Sequence, residues 1–121
     1  MTKYADNCAV IAIHHVTGES PDDIVAGIAA FPMPDGRAAF VGDGVNGDAL
    51  GAYLESRGWT ELFFEDRPAI PWTCIVSLCD PSHCFSIVDG RIYDRFNGWY
   101  QGSPIISIYV PPKGRDAKDR R

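Results

Sequence analysis

Residues 83–94, which read HCFSIVDGRIYD, are the stretch that decides the fold. Two β-prone runs flank the dipeptide Asp89-Gly90, and an Asp-Gly pair in this setting is a strong signal for a two-residue hairpin turn. Such a turn pairs Val88 with Arg91 and fixes the register of both strands. The sequence therefore predicts an antiparallel hairpin here.

Outward from the hairpin, the chain divides into a helical first half and a strand-rich second half. Helical patterns cover residues 8–16, 48–57 and a segment that begins at a capping box formed by Ser20 and Asp23, while strand patterns cover residues 61–64, 72–79 and 105–110. Residues 32–47 are dense in Gly, Pro and Asp, which predicts an extended surface loop. Helices followed by an antiparallel sheet predict an α+β domain.

The amino-acid composition limits the classes of protein to which the chain can belong. The 121 residues are 45% hydrophobic and 22% charged, which is ordinary for one globular domain, and no apolar run is long enough to cross a bilayer. The N-terminus has no apolar stretch typical of a signal peptide, so we expect a cytoplasmic protein. In that compartment the four cysteines stay reduced and form no disulfide framework.

The distribution of charge divides the chain into an acidic body and a basic C-terminal tail. The chain carries a formal net charge of −5, yet residues 113–121 hold five basic and two acidic residues, which leaves six basic and fourteen acidic residues in 1–112. We therefore assign residues 1–112 to one domain and residues 113–121 to a basic, disordered tail. The acidic body is expected to repel nucleic acid, so only the tail is suited to phosphates.

Cys8 is the candidate nucleophile, because it stands at the start of the first helical pattern. The positive end of a helix dipole favours a thiolate, and cysteines in such settings titrate at about 3.5–7.5 instead of 8.5. Attack on a carbonyl also requires donors for the oxyanion. The backbone N–H of Cys8 is one such donor and the side chain of Asn7 is a candidate for a second, while no Gln precedes the Cys.

His83 and Asp94 are the candidate partners of that thiol. Counting outward from the hairpin turn places Asp94 diagonal to His83 on one face, about 7–8 Å apart at the backbone, so the carboxylate can orient the imidazole. A one-residue slip in register would reverse the face assignment, which leaves Asn97 as the alternative orienting residue.

These residues resemble a known family. The segment DNCAVIAI (6–13), followed later by the hairpin 83–94, is similar to a compact papain-like cysteine peptidase, in particular to small bacteriophage-encoded members. The segment YDRFNG (93–98) also resembles the aspartate segment of bacterial effector thiol peptidases. The resemblance covers roughly residues 4–110.

The resemblance implies a minimal papain-like fold in which N-terminal helices pack on a C-terminal antiparallel sheet. It implies Cys8 as nucleophile, His83 as general base and Asp94 as orienting carboxylate, with Trp99 beside the substrate. The implied activity is hydrolysis of an amide or isopeptide bond in a protein or small amide through an acyl-enzyme, in a host cytoplasm if the chain is phage-encoded. No cofactor or membrane partner is implied, and the oligomeric state stays open.

Other interpretations remain beside this one. A catalytically inactive protein with the same fold, binding a host or virion partner, is the main alternative, and transfer of the acyl group to an amine would use the same three residues. A zinc site at Cys74, Cys79, His83 and Cys84 is disfavoured, because the spacing lacks the paired C-x2-C elements of structural zinc sites. His14 and His15 are expected to be structural or surface residues.

Overall fold

The computed structural model of the chain describes residues 7–31, 36, 38–41, 44–45, 47–63, 70–78, 83–93 and 105–112. Three helices and seven strands are defined in this part of the chain. The helices are α1 (Cys8–Thr17), α2 (Pro21–Ala30) and α3 (Gly47–Ser56), and the strands are β1 (Phe40–Val41), β2 (Gly44–Val45), β3 (Thr60–Phe63), β4 (Cys74–Leu78), β5 (His83–Val88), β6 (Arg91–Tyr93) and β7 (Ile105–Val110). The predicted tail at 113–121 lies outside the described residues.

The helices begin and end at residues whose side chains or backbone suit those positions. The Asn7 side chain caps α1, and Gly18 ends it in the left-handed conformation with φ of 80°. At the start of α2, the Ser20 hydroxyl accepts a hydrogen bond from the Asp23 N–H at 3.1 Å, and Pro21 occupies the first turn. The boundaries predicted from these local signals are confirmed to within one or two residues.

A five-stranded antiparallel sheet forms the second half of the fold. Its strand order is β3-β7-β4-β5-β6, so β4 lies at the centre between β7 and β5. Val88 pairs with Arg91 as predicted, and both turn residues have positive φ, 53° at Asp89 and 80° at Gly90. The predicted α+β class, with N-terminal helices and an antiparallel sheet, is confirmed.

Both faces of the sheet are apolar, and among the described residues one of these faces packs against the helices. On that face Ile75 and Tyr109 join a cluster with buried residues of the helices, among them Val10, Ile13, Ile24, Ile28 and Leu54. A second cluster, made of strand residues alone, lies on the opposite face and contains Cys74, Val76, Leu78, Phe85 and Ile108. We refer to these as the helix-covered face and the opposite face.

Two polar contacts hold the helical layer and the hairpin in place. The Arg57 guanidinium after α3 forms a bidentate ion pair with Glu19 of the α1–α2 loop, with N–O distances of 2.8 and 2.7 Å. At the hairpin, the Gly90 N–H donates to the Trp72 carbonyl at 2.9 Å. The turn is thereby attached to the segment that leads into β4.

The loop predicted at residues 32–47, whose internal structure the sequence leaves open, contains two short strands. Its described part includes β1 and β2, which pair antiparallel with Phe40 opposite Val45. Two-residue strands have too few positions to show an alternating pattern, so the Gly-rich sequence gave no sign of them. The three described helices have ten residues each, and none of them is suited to cross a membrane.

Candidate functional site

Cys8 is the first residue of α1, and its position is fixed by the residue before it. The Asn7 side-chain oxygen accepts hydrogen bonds from the N–H groups of Ala9 at 2.8 Å and Val10 at 3.4 Å. The Asn7 carbonyl accepts from the Ile11 N–H at 2.9 Å, which begins the regular helical pattern. The cap therefore holds the Cys8 thiol at the positive end of the helix.

The dipole of α1 favours an anion at this helix end. No acidic residue lies in the first turn of α1, so no neighbouring carboxylate on the helix opposes a negative charge on Cys8. The Cys8 side chain is partly buried at the edge of the helix-covered cluster. It combines partial exposure with a favourable electrostatic position, as reactive cysteines do.

Asn7 has a structural role in addition to the oxyanion role that the sequence suggests for it. The sequence suggested its side chain as an oxyanion donor, but its oxygen serves as the cap of α1 and the residue is only 8% exposed. Only the amide NH2 end of that side chain has the chemistry to donate to an oxyanion. The structural role of Asn7 is therefore to position Cys8.

The Cys84 thiol is the neighbour of Cys8 that the sequence did not reveal. Cys84 lies on β5, is buried on the helix-covered face, and its side chain hydrogen-bonds with Cys8. The hydrogen bond to Cys8, burial and the charge of Cys8 all raise the pKa of the Cys84 thiol, while a hydrogen bond from Ser77 acts in the opposite direction. The surroundings of Cys84 therefore favour its protonated form.

Ser77 belongs to the same polar row of the sheet. It lies directly opposite Cys84 in the β4–β5 register and opposite Ser107 in the β4–β7 register. The Ser107 hydroxyl in turn donates to a Glu61 carboxylate oxygen at 2.6 Å. Ser107, Ser77 and Cys84 therefore form a row of small polar side chains across three strands on the helix-covered face, and Cys84 at the end of this row contacts Cys8.

His83 begins β5, one residue before Cys84, and pairs with Leu78 of β4. Its backbone is thus adjacent in the chain to a residue that contacts Cys8. In a regular strand, however, the position of His83 shares a face with Phe85, and Leu78 belongs to the opposite face. The β4–β7 register shifts between Ser77 and Leu78, whereas the β4–β5 register continues without a shift to Leu78 and His83.

The other residues assigned to the site lie outside the described part of the chain. β6 ends at Tyr93, one residue before Asp94, and neither Asn97 nor Trp99 is described. The part of the hairpin that is described has the predicted register, with Ile87 opposite Ile92 and Ser86 opposite Tyr93.

His14 and His15 near the end of α1 have contacts of a packing kind. The His15 ring stacks on Tyr93 with ring centroids 4.9 Å apart and an interplanar angle of 21°. Burial lowers the pKa of His15, as does the neighbouring His14. A His14 ring nitrogen lies 2.7 Å from the Glu19 carbonyl oxygen. Both rings hold neighbouring elements together, as expected for structural residues.

A zinc site built from the described cysteines does not fit the geometry. Cys74 and Cys84 belong to clusters on opposite faces of the sheet, so their sulfurs cannot share one ion. Within the described ranges, no three His, Cys, Asp or Glu side chains are grouped so as to hold a metal.

Comparisons with protein-family models, curated proteins and solved structures gave no match for this chain. The candidate function therefore depends on the residues and their arrangement alone.

Proposed function

We propose that the protein is a thiol hydrolase that cleaves an amide or isopeptide bond through an acyl-enzyme, with Cys8 as nucleophile. The observation that carries this proposal is the position of Cys8 at the capped start of α1, packed against β5. A thiolate is favoured there, and the residue that follows His83 in β5 is its direct neighbour. We place this activity in the cytoplasm.

The proposed reaction has two halves. Cys8 Sγ attacks the carbonyl carbon, the oxyanion is stabilised by the Cys8 backbone N–H, and the amine leaves with a proton from the His83 imidazolium. Water then attacks the thioester while His83 accepts a proton, and the acid is released as the thiolate forms again. Asp94 holds the ring in the orientation that both halves require.

This mechanism places a specific demand on the start of β5. The His83 ring must turn toward the helix-covered face, out of the regular alternation that Phe85 follows. The β4–β5 pairing stays in register up to Leu78 and His83, so this departure has to occur at His83 itself, the first residue of β5.

The same alternation favours a second candidate function. If His83 keeps the regular strand geometry, Cys8 has a thiol neighbour in place of a base, and the domain is then suited to an interaction role without turnover. In that case the protein binds a host or virion partner, as the sequence also allowed.

Alkylation of the native protein by iodoacetamide as a function of pH tests the proposal. We expect Cys8, located by mass spectrometry of the peptides, to react well below about pH 8 because its thiolate is stabilised. His83→Ala should shift this reactivity to higher pH. His15→Ala is the matched control, since it removes an imidazole two helical turns from Cys8, and it should leave the profile unchanged.

The result that would contradict the hydrolase is slow labelling of Cys8 that follows an ordinary thiol titration in wild type and in His83→Ala. That outcome would support the interaction protein. Where Cys8 is activated, analysis of the products in the presence of an added amine separates hydrolysis from acyl transfer.

A further inference from the structure

We infer that Cys8 and Cys84 form a reversible redox pair, in which a peroxide oxidises Cys8 and Cys84 then closes a disulfide between α1 and β5. Neither cysteine is in a disulfide in the structure, Cys84 belongs to the helix-covered cluster, Cys8 packs against that cluster, and the two side chains hydrogen-bond with each other. The inference concerns the chemistry of these two sulfurs and does not require that the protein hydrolyses anything.

The two sulfurs differ in the way that such a pair requires. Cys8 is partly exposed and lies at the start of α1, where its thiolate is favoured, whereas Cys84 is buried beneath the helix. Oxidation follows thiolate character and exposure, so peroxide reaches Cys8 first. Cys84 is protected from direct oxidation but is in contact with the product.

The chemistry balances in two steps. The Cys8 thiolate attacks one peroxide oxygen, the O–O bond breaks, and sulfenic acid forms with release of hydroxide or the corresponding alkoxide. Cys84 sulfur then attacks the Cys8 sulfur, the S–O bond breaks, and the hydroxyl leaves with the Cys84 proton as water. The protein loses two hydrogen atoms and the peroxide is reduced.

Oxidation of Cys8 also makes the attack by Cys84 more favourable. The hydrogen bond to Cys8 and the charge of Cys8 are among the causes that raise the pKa of the Cys84 thiol. Conversion of the Cys8 thiolate into neutral sulfenic acid removes that charge, so Cys84 loses its proton more readily than before oxidation. The hydrogen bond from Ser77 to Cys84 further favours its thiolate.

The sulfurs are already hydrogen-bonding neighbours, and a disulfide needs them to approach to about 2.05 Å. Cys74 has no comparable opportunity with Cys8, because it is fully buried in the cluster on the opposite face. A disulfide would remove the nucleophile, and this consequence for activity, unlike the disulfide itself, rests on the proposed function.

Treatment of the folded protein with hydrogen peroxide, followed by intact-mass analysis without reductant, tests the inference. Wild type should lose two hydrogen masses and regain them with a thiol reductant. Separate Ser variants of Cys8, Cys74, Cys79 and Cys84 identify the pair, and circular dichroism confirms that each is folded before oxidation. Loss of Cys8 or Cys84 should prevent disulfide formation, whereas Cys74→Ser and Cys79→Ser should form it as wild type does.

The reaction of Cys84→Ser gives an independent readout. Sulfenic acid should accumulate on Cys8 of this variant and be captured by dimedone, and Cys84→Ala serves the same purpose if the Ser variant does not fold. Direct over-oxidation of Cys8 in wild type without a cross-link, or a disulfide that survives the loss of Cys84, would overturn the inference. The two proposals can be separated. If the Cys8–Cys84 disulfide forms but the alkylation of Cys8 does not depend on His83, the redox inference is supported and the hydrolase is refuted.

Discussion

Replacement of Asn7 by Ala tests the foundation of the site, because this side chain fixes the start of α1 and hence the position of Cys8. Its oxygen accepts one hydrogen bond at 2.8 Å and a longer one at 3.4 Å, and the residue is only 8% exposed. Loss of an N-cap costs about 0.5–2 kcal/mol. Since water has poor access to a buried helix end, we expect the upper limit, about 2 kcal/mol. For a chain of this length that lowers Tm by roughly 8 °C.

Urea unfolding at equal protein concentration measures this loss, with Ser20→Ala as the matched control. Ser20 caps α2 through a single exposed bond of 3.1 Å, so its loss should cost only about 0.5–1 kcal/mol. Asn7→Ser keeps a capping oxygen and should recover most of the stability. If Asn7→Ala is no more destabilising than Ser20→Ala, the argument that a buried cap holds Cys8 in place is refuted.

Two further predictions concern the hairpin and the sheet. Gly90→Ala should lower the free energy of unfolding by more than Gly18→Ala does. Both residues have φ of 80°, but a Cβ at Gly90 would lie 2.7 Å from the Trp72 ring, whereas a Cβ at Gly18 would meet nothing within 4 Å among the described residues. Urea titration of both variants measures the difference, and equal losses of stability would contradict the effect of this contact. Burial and the Glu61 carboxylate raise the pKa of Tyr109, so above about pH 10 the unfolded chain loses this proton first and stability falls as pH rises. Tyr109→Phe should reduce that alkaline decline in urea titrations, and a decline parallel to wild type would show that Tyr109 does not cause it.

The parts of the fold that the sequence predicted depend on local chemistry. Gly18 ends α1 because few other residues tolerate positive φ, Ser20 begins α2 because its hydroxyl satisfies an N–H group, and the Asp89-Gly90 turn fixes the register of its two strands. These features depend on interactions within a few residues of the chain, so they can be predicted without knowledge of the tertiary structure. The position of Cys8 at the start of α1 was predicted on the same grounds.

The partner of Cys8 was not predictable in this way, because it depends on which face of the sheet the helices cover. Parity places Cys84 and Ser86 on one face and Phe85 on the other, and the sequence makes the Phe85 face the more apolar. Apolarity alone would assign the helices to that face, yet α1 packs on the face where β5 has its smaller side chains, where Cys84 meets Cys8 and Ser86 is fully buried. Small side chains on β5 leave room for the side chains of a helix, and Cys84 there hydrogen-bonds with Cys8. The neighbour of a helix-borne nucleophile therefore lies among the small strand residues that alternate with the large ones, and here it is Cys84, the residue beside the histidine.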